Sequence, residues 1–199
     1  LEADPGMIAL FRRHLGDKWK GVSGDPRVRI HQTDARRFVR QAKEKWDAII
    51  VGNPPPDTIL INRYYTVEFF AEARRALSPG GIVAFQLPGA ENYISGDLAR
   101  FLACMRKTLS SAFPRTVALP GSTVQLFACA GVPDTLTADP VVLTARLKER
   151  RLDSRYVREY TIPFRLTSDR LREFEEQTRI RSDTPVNHDF APVGYYLEF

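Results

Sequence analysis

Apolar residues recur along this chain at two spacings, one helical and one extended. Met7, Ile8, Phe11 and Leu15 fall three and four apart, which predicts a helix from Pro5 to about Leu15. Asp4 is its expected N-cap, Pro5 its first residue and Gly16 its end. A loop through Gly21, Gly24 and Pro26 leads to Val28-Arg-Ile-His31, a short alternating strand closed by Thr33-Asp34. Phe38, Val39 and Ala42 then mark a helix over 35–45. Ala48 to Val51 is an unbroken apolar run, as expected of a strand covered on both faces.

Thr66 is a plausible N-cap for a helix over 67–77, ended by Ser78-Pro-Gly-Gly81. Ile82 to Leu87 is the next strand, and Asp97 is expected to cap a helix reaching Ala112. Arg115–Leu119 and Val124–Ala130 read as strands joined by Pro120-Gly-Ser-Thr123, a connection short enough to make them antiparallel. After Gly131-Val-Pro133 the pattern changes. A helix over 140–150, an extended piece near 156–160 and a helix over 168–178 follow. An irregular, aromatic-rich end occupies 185–199.

Strands alternating with helices and closing in a hairpin indicate a doubly wound α/β sheet. The order is that of the Rossmann-like fold of S-adenosylmethionine-dependent methyltransferases. Residues 1–132 form this α/β domain, and residues 133–199 are expected as a helical extension packed on it. Leu1-Glu2 reads as the tail of a strand. The first strand and its Gly-rich loop are therefore expected before Leu1, in a longer parent chain. Without that central strand, two strands should be left with open edges.

Charge changes the picture little. The formal net charge is +5 and the isoelectric point about 9.4, but the arginines are spread over every predicted helix. Spread charge is the mark of a solvated face, so no nucleic-acid partner is expected; an anionic partner or membrane surface stays open. Cys104 and Cys129 lack metal-ligand or redox spacing and read as buried apolar residues. His14, His31 and His188 lack ligand spacing, and no metal is expected. No segment reads as a signal peptide or bilayer span.

The chemistry should lie at Asp47-Ala-Ile-Ile-Val-Gly-Asn-Pro-Pro-Pro56, because open α/β sheets bind ligands outside the carboxyl ends of their strands. Several phrases support a family assignment. Glu2-Ala-Asp-Pro5, Thr33-Asp-Ala-Arg36, Asp47-Ala-Ile-Ile-Val51, Tyr65-Thr-Val-Glu-Phe-Phe70 and Leu77-Ser-Pro-Gly-Gly81 together resemble the spermidine/spermine synthases. Gly89-Ala-Glu-Asn-Tyr93, Ala118-Leu-Pro-Gly-Ser122 and Asn187-His-Asp-Phe-Ala-Pro192 are similar to a branch fused to predicted membrane segments.

The resemblance implies aminopropyl transfer from decarboxylated S-adenosylmethionine to a polyamine amine, with no tightly bound cofactor. It implies Glu2 as acceptor for the donor's ribose hydroxyls, and Asp34 with Ala35 at the adenine. Glu2 also reads as a strand-end acid, and Asp34 as the N-cap of the helix it precedes. Tyr64, Tyr65 and Gln86 are candidates for the amine pocket, although the tyrosines also suit packing at the helix entrance. Glu91 and Asn92 are an acid–amide pair on the loop after Gln86.

The amine must lose a proton before attack, which the family serves with an Asp-x-x-Asp-Pro loop. Here Gly52 and Pro55 stand at the two aspartate positions, leaving Asp57 as the substitute acid. That departure supports an alternative, a non-catalytic small-molecule-binding or regulatory domain of a membrane protein. Asn53-Pro-Pro also resembles the Asn-Pro-Pro-aromatic signature of amino-group methyltransferases, with Pro56 in place of the aromatic. Methyl transfer from S-adenosylmethionine is therefore a further alternative. A cytoplasmic location, a homodimer and weak nucleoside binding by this chain alone complete the expectations. The ending Gly194-Tyr-Tyr-Leu-Glu-Phe199 fits either a junction to a membrane segment or a final strand.

Overall fold

In the computed structural model, which describes residues 1–132 and 135–194, the chain divides into two compact units, Leu1–Glu44 and Lys45–Phe199. The expectations for Pro133 and for the ending beyond Gly194 lie outside the described residues.

In the first unit, helix α1 (Pro5–His14) starts as its sequence dictates: the Asp4 carboxylate accepts from the Gly6 N–H at 2.7 Å and Pro5 opens the first turn. Gly16 does more than end this helix. It adopts φ +49°, a left-handed conformation open to glycine, and a second helix, α2 (Gly16–Ser23), starts there in place of the expected loop. Helix α3 (Ala35–Arg40) is capped by Asp34, whose carboxylate accepts from the Arg37 N–H at 2.8 Å. It stops five residues short of Lys45. The strand expected over Val28–His31 is reduced to one parallel bridge between Glu2 and Gln32. The pairing consists of two backbone bonds, from the Glu2 N–H to the His31 carbonyl and from the Thr33 N–H to the Glu2 carbonyl.

The second unit is a four-stranded sheet in the order β1-β2-β4-β3, with β1 (Trp46–Val51), β2 (Leu77–Pro88), β3 (Arg115–Leu119) and β4 (Thr123–Cys129). β1 and β2 run parallel, while β4 pairs antiparallel with both β2 and β3. The hairpin is therefore as expected, with its second strand inserted beside β2. β1 lies at the edge. Ile50 on it is 79% exposed, so the strand is not covered on both faces, and among the described residues its outer edge pairs with no other strand.

After β1 comes a single-turn helix, α4 (Ile59–Asn62), which sequence periodicity does not show. Helix α5 (Val67–Ala76) starts at Thr66, whose hydroxyl accepts from the Phe69 N–H. Ser78–Gly81 does not separate helix from strand. It is absorbed as an irregularity at the start of β2, where the register slips between Trp46 and Ala48. Helix α6 (Gly96–Ala112) is capped by Ser95, not by Asp97; Ser95 Oγ accepts from the Leu98 N–H at 3.2 Å.

Strand alternation assigns the core. Val83, Phe85 and Leu87 of β2 and Val124, Leu126 and Ala128 of β4 point inward against α5 and α6. Phe70 stacks on Phe85 with centroids 5.3 Å apart, and Leu102, Met105 and Leu109 of α6 complete the layer. Cys104 and Cys129 are both buried free thiols, and burial pushes the Cys104 thiol up to about 11. Gly89, just past β2, passes so close to the hairpin turn that a Cβ would sit 2.3 Å from the Gly121 carbonyl oxygen. No other residue fits there.

Helices α7 (Pro140–Glu149) and α8 (Thr161–Arg165) bury no residue, whereas α9 (Ser168–Gln177) buries Phe174. The extended piece expected near Tyr156–Tyr160 is instead bend and turn leading into α8. Arg106 of α6 ties α9 down, donating to the Thr178 carbonyl at 2.9 Å. Among the described residues, no helix is long and apolar enough to cross a membrane.

Candidate functional site

The loop leaving β1 runs through Gly52, Asn53 and three prolines. A proline has no N–H, so such a loop can be fastened mainly through its carbonyls. Tyr65 supplies the donor. Its hydroxyl lies 2.9 Å from the Asn53 carbonyl oxygen and 2.9 Å from that of Pro54, and its ring packs edge-on to Phe85 at 5.6 Å. Tyr65 has no exposed surface. Its hydroxyl is engaged by the loop backbone.

The segment carrying Tyr65 is braced in turn by Asn187, which is fully buried. The Asn187 amide donates to Asn62 Oδ1 and to the Tyr65 carbonyl, both at 2.9 Å. Its side-chain oxygen accepts from the Val193 and Gly194 N–H groups at 3.0 Å each. The Asn187 N–H donates to Thr108 Oγ1 at 2.9 Å, and its carbonyl accepts from the Val67 N–H at 3.0 Å. Every polar group of this asparagine is satisfied, the condition for burying it at little cost.

Beside it, His188 Nδ1 lies 2.8 Å from Glu68 Oε1, the Asp189 N–H donates to Glu68 Oε2, and the Thr66 hydroxyl donates to Asp189 Oδ1 at 2.7 Å. Burial pushes the Glu68 carboxyl up, but hydrogen bonds from His188 and from backbone N–H groups outweigh it and leave the group below its ordinary value. Sequence reasoning assigned no role to Asn62, Glu68 or Asn187 and noted of His188 only that it lacks metal-ligand spacing. The one available signal was that Asn187-His-Asp and Asn62-Arg-Tyr-Tyr both stand out as polar phrases among apolar neighbours.

The other expected residues are distributed as follows. Asp57 is exposed, one residue past the buried Pro56, with its N–H donating to the Pro55 carbonyl at 2.8 Å. Tyr64 is half-buried, edge-on to Phe69 at 5.6 Å, with the Arg63 guanidinium 5.5 Å from its ring centroid. Gln86 is exposed and pairs across the strands with Gln125. Because side chains alternate along β2, Gln86 faces the side of the sheet opposite Phe85 and Tyr65. The structure thus brings Tyr65 and the β1 loop together and leaves Gln86 apart from them. Glu91 is engaged by Arg170 and accepts from the Ser122 N–H at 3.1 Å, contacts that hold its carboxyl below the ordinary value.

In the first unit, Glu2 and Asp34 come to the same end of two parallel segments. The bridge sets Glu2 beside Gln32, and Asp34 follows two residues later. Glu2 Oε1 accepts from the Asp4 N–H at 2.9 Å, while its second carboxylate oxygen has no hydrogen-bond partner among the described residues. Asp34 and Ala35 are half-buried, and Asp34 is the cap of α3. Among the described residues no cluster of His, Cys, Asp and Glu is suited to a metal.

Residues 1–128 match the family model described as "Spermine/spermidine synthase domain". The chain is 33% identical over 148 residues to a polyamine aminopropyltransferase of Mycobacterium tuberculosis, covering 73% of this chain and 28% of that protein. It is 33% identical over 153 residues to one of Nitrosomonas europaea, covering 76% and 45% respectively. It therefore spans less than half the length of these curated relatives. Among solved structures, a spermidine synthase of Thermotoga maritima superposes with a TM-score of 0.63 at 19% identity, over 89% of this chain and 58% of that one. That likeness establishes the fold, the one expected from the order of strands and helices.

Proposed function

The chain belongs to the spermine/spermidine synthase domain family, and from that premise we propose that it serves aminopropyl transfer from decarboxylated S-adenosylmethionine to a polyamine amine. In this reaction the amine nitrogen bonds to the aminopropyl carbon as the carbon–sulfur bond breaks. The amine sheds a proton, and the sulfonium becomes a neutral thioether. The observation that carries the reading is the β1 loop. It stands at the carboxyl end of a parallel strand, where such folds place ligands, and is held there by Tyr65 through two carbonyls.

The residues of the first unit fit a nucleoside. A ribose diol presents two donors, and Glu2 offers a carboxylate oxygen with no partner among the described residues. Asp34 and Ala35 at the start of α3 suit the adenine amino group and its ring edge. In the second unit, Asp57 is the acid offered to the amine's proton. Tyr65 positions the loop that carries it, and Tyr64 offers a half-buried aromatic edge to an alkylammonium group.

A second reading has its own support. The loop has Gly52 and Pro55 where relatives of this family are expected to carry aspartates, and Asp57 is exposed. These features favour a domain that binds the ligands without turning them over. Turnover assays of the full-length protein with decarboxylated S-adenosylmethionine and with S-adenosylmethionine, over a series of amines, separate the two. Transfer from the decarboxylated donor, reduced at least tenfold by Asp57→Asn, is the expected result. Absence of turnover with either donor, alongside measurable nucleoside binding, establishes the binding-only reading.

A further inference from the structure

The sheet face opposite Tyr65 holds a cavity to which the aminopropyl-transfer reading assigns no residue. Thr123 and Gln125 of β4 alternate with the core-facing Val124 and Leu126, so they turn outward, as does Leu119 of β3. These residues floor a cavity of about 750 Å³ beneath Leu143 and Leu147 of α7 and Ile162 of α8. That volume lies within the ~300–1,000 Å³ usual for small-molecule sites. Half of the sixteen lining residues are aliphatic, and the charged members are Arg146, Arg150 and Arg165, with no carboxylate among them.

The three arginines are not equivalent. Arg146 donates to the Thr135 carbonyl, and Arg165 lies 3.7 Å from Glu91. The Arg150 guanidinium has no hydrogen bond or ion pair among the described residues. It also lines a second cavity of about 230 Å³ that shares Leu119, Leu143 and Arg146 with the first. A polyamine would meet three cations here and no anion, so this is not a second amine pocket. An apolar body with one negative end satisfies both the aliphatic walls and the unpaired guanidinium.

We propose that this cavity binds a medium-chain carboxylate. The alkyl chain lies between the hairpin and α7, displacing water from Leu119, Leu143 and Leu147. The carboxylate accepts from Arg150, a charge-assisted and potentially two-pronged contact. The Gln125 amide, with Gln86 directly across from it on β2, supplies the uncharged polar edge of the floor. The cavity shares no lining residue with the β1 loop.

Calorimetric titration of the 199-residue chain with dodecanoate, kept below its micelle concentration, tests this against dodecylammonium and dodecanol. Dodecanoate is expected to bind at one site at least tenfold more tightly than either comparator. Arg150→Glu is expected to weaken it tenfold or more, as loss of a charge-assisted contact does. Arg150 is exposed, and unchanged circular dichroism and melting confirm that the variant folds. Arg150→Gln, which keeps the stem and removes the charge, reads the same contact if the glutamate variant is less stable. Equal binding of dodecanol or dodecylammonium overturns the proposal. So does absence of dodecanoate binding, or binding that neither Arg150 variant weakens.

Discussion

Among the described residues, Val39 is the one buried apolar side chain of Leu1–Glu44, while more than twenty are packed in the unit that follows. Phe11 is 37% exposed and Leu10 48%, whereas Phe70 and Tyr65 are at 0%. The two units also hold their candidate functional groups by different means. Glu2 and Asp34 are oriented by bonds to backbone two and three residues away. The β1 loop is oriented by bonds that span 11 to 125 residues of sequence. The first arrangement rests on short-range bonds and one parallel bridge, and the second depends on the whole core. A binding group can therefore be aimed without a core, but a proline-rich loop without its own donors cannot.

The sharpest way to break this comparison is one deletion made in both units. Phe70→Ala removes a fully buried ring and is expected to cost about 4 kcal/mol in denaturant unfolding. Phe11→Ala is expected to cost less than about 1 kcal/mol, because the ring is already partly in water. Equal costs would mean that the first unit is as tightly packed as the second.

Asn187→Ala comes next. It strands Asn62 Oδ1, the Tyr65 carbonyl and the Val193 and Gly194 N–H groups. An expected loss of about 3 kcal/mol follows from leaving buried polar groups unpaired, with faster hydrogen exchange at residues 62–66. A loss below about 1 kcal/mol would show that the core holds the loop without this brace.

The smallest effect is acid sensitivity. The Glu68 carboxyl is lowered in the folded protein, so its stabilising contribution is complete above its unfolded value, ~4.3, and is lost as pH falls through the lowered folded one. The stability difference between the native chain and Glu68→Gln should therefore shrink on acidification below about pH 4.5. A difference that stays constant to pH 3 would remove Glu68 from the account.

The same contrast explains what sequence alone reveals. Asp4, Asp34 and Thr66 are legible as caps because a cap is a contract between residues two or three apart. The hairpin at Pro120–Thr123 is legible for the same local reason. Gly16 misleads because a left-handed glycine can restart a helix as well as stop one. The strand at Val28–His31 is read correctly as alternation and still fails to form, since a strand needs a partner that periodicity cannot supply. Gln86 illustrates the same gap in the site. Its place near the end of a strand is evident, but the face it occupies follows only from the register with Gln125 and the burial of Phe85. Asn187 shows in the sequence only as part of a polar phrase, because its partners are up to 125 positions away.

That last separation sets a timetable for the ribosome. Asn62 and Tyr65 leave it long before Asn187 exists, and at ~5–20 residues per second the interval is on the order of ten seconds. Throughout it the nascent β1 loop and the α4 turn lack their final clasp. The proline-rich segment is thus exposed to chaperones and proteases until Asn187 is made. The β1 loop is therefore completed after translation of Asn187 and not when its own residues emerge.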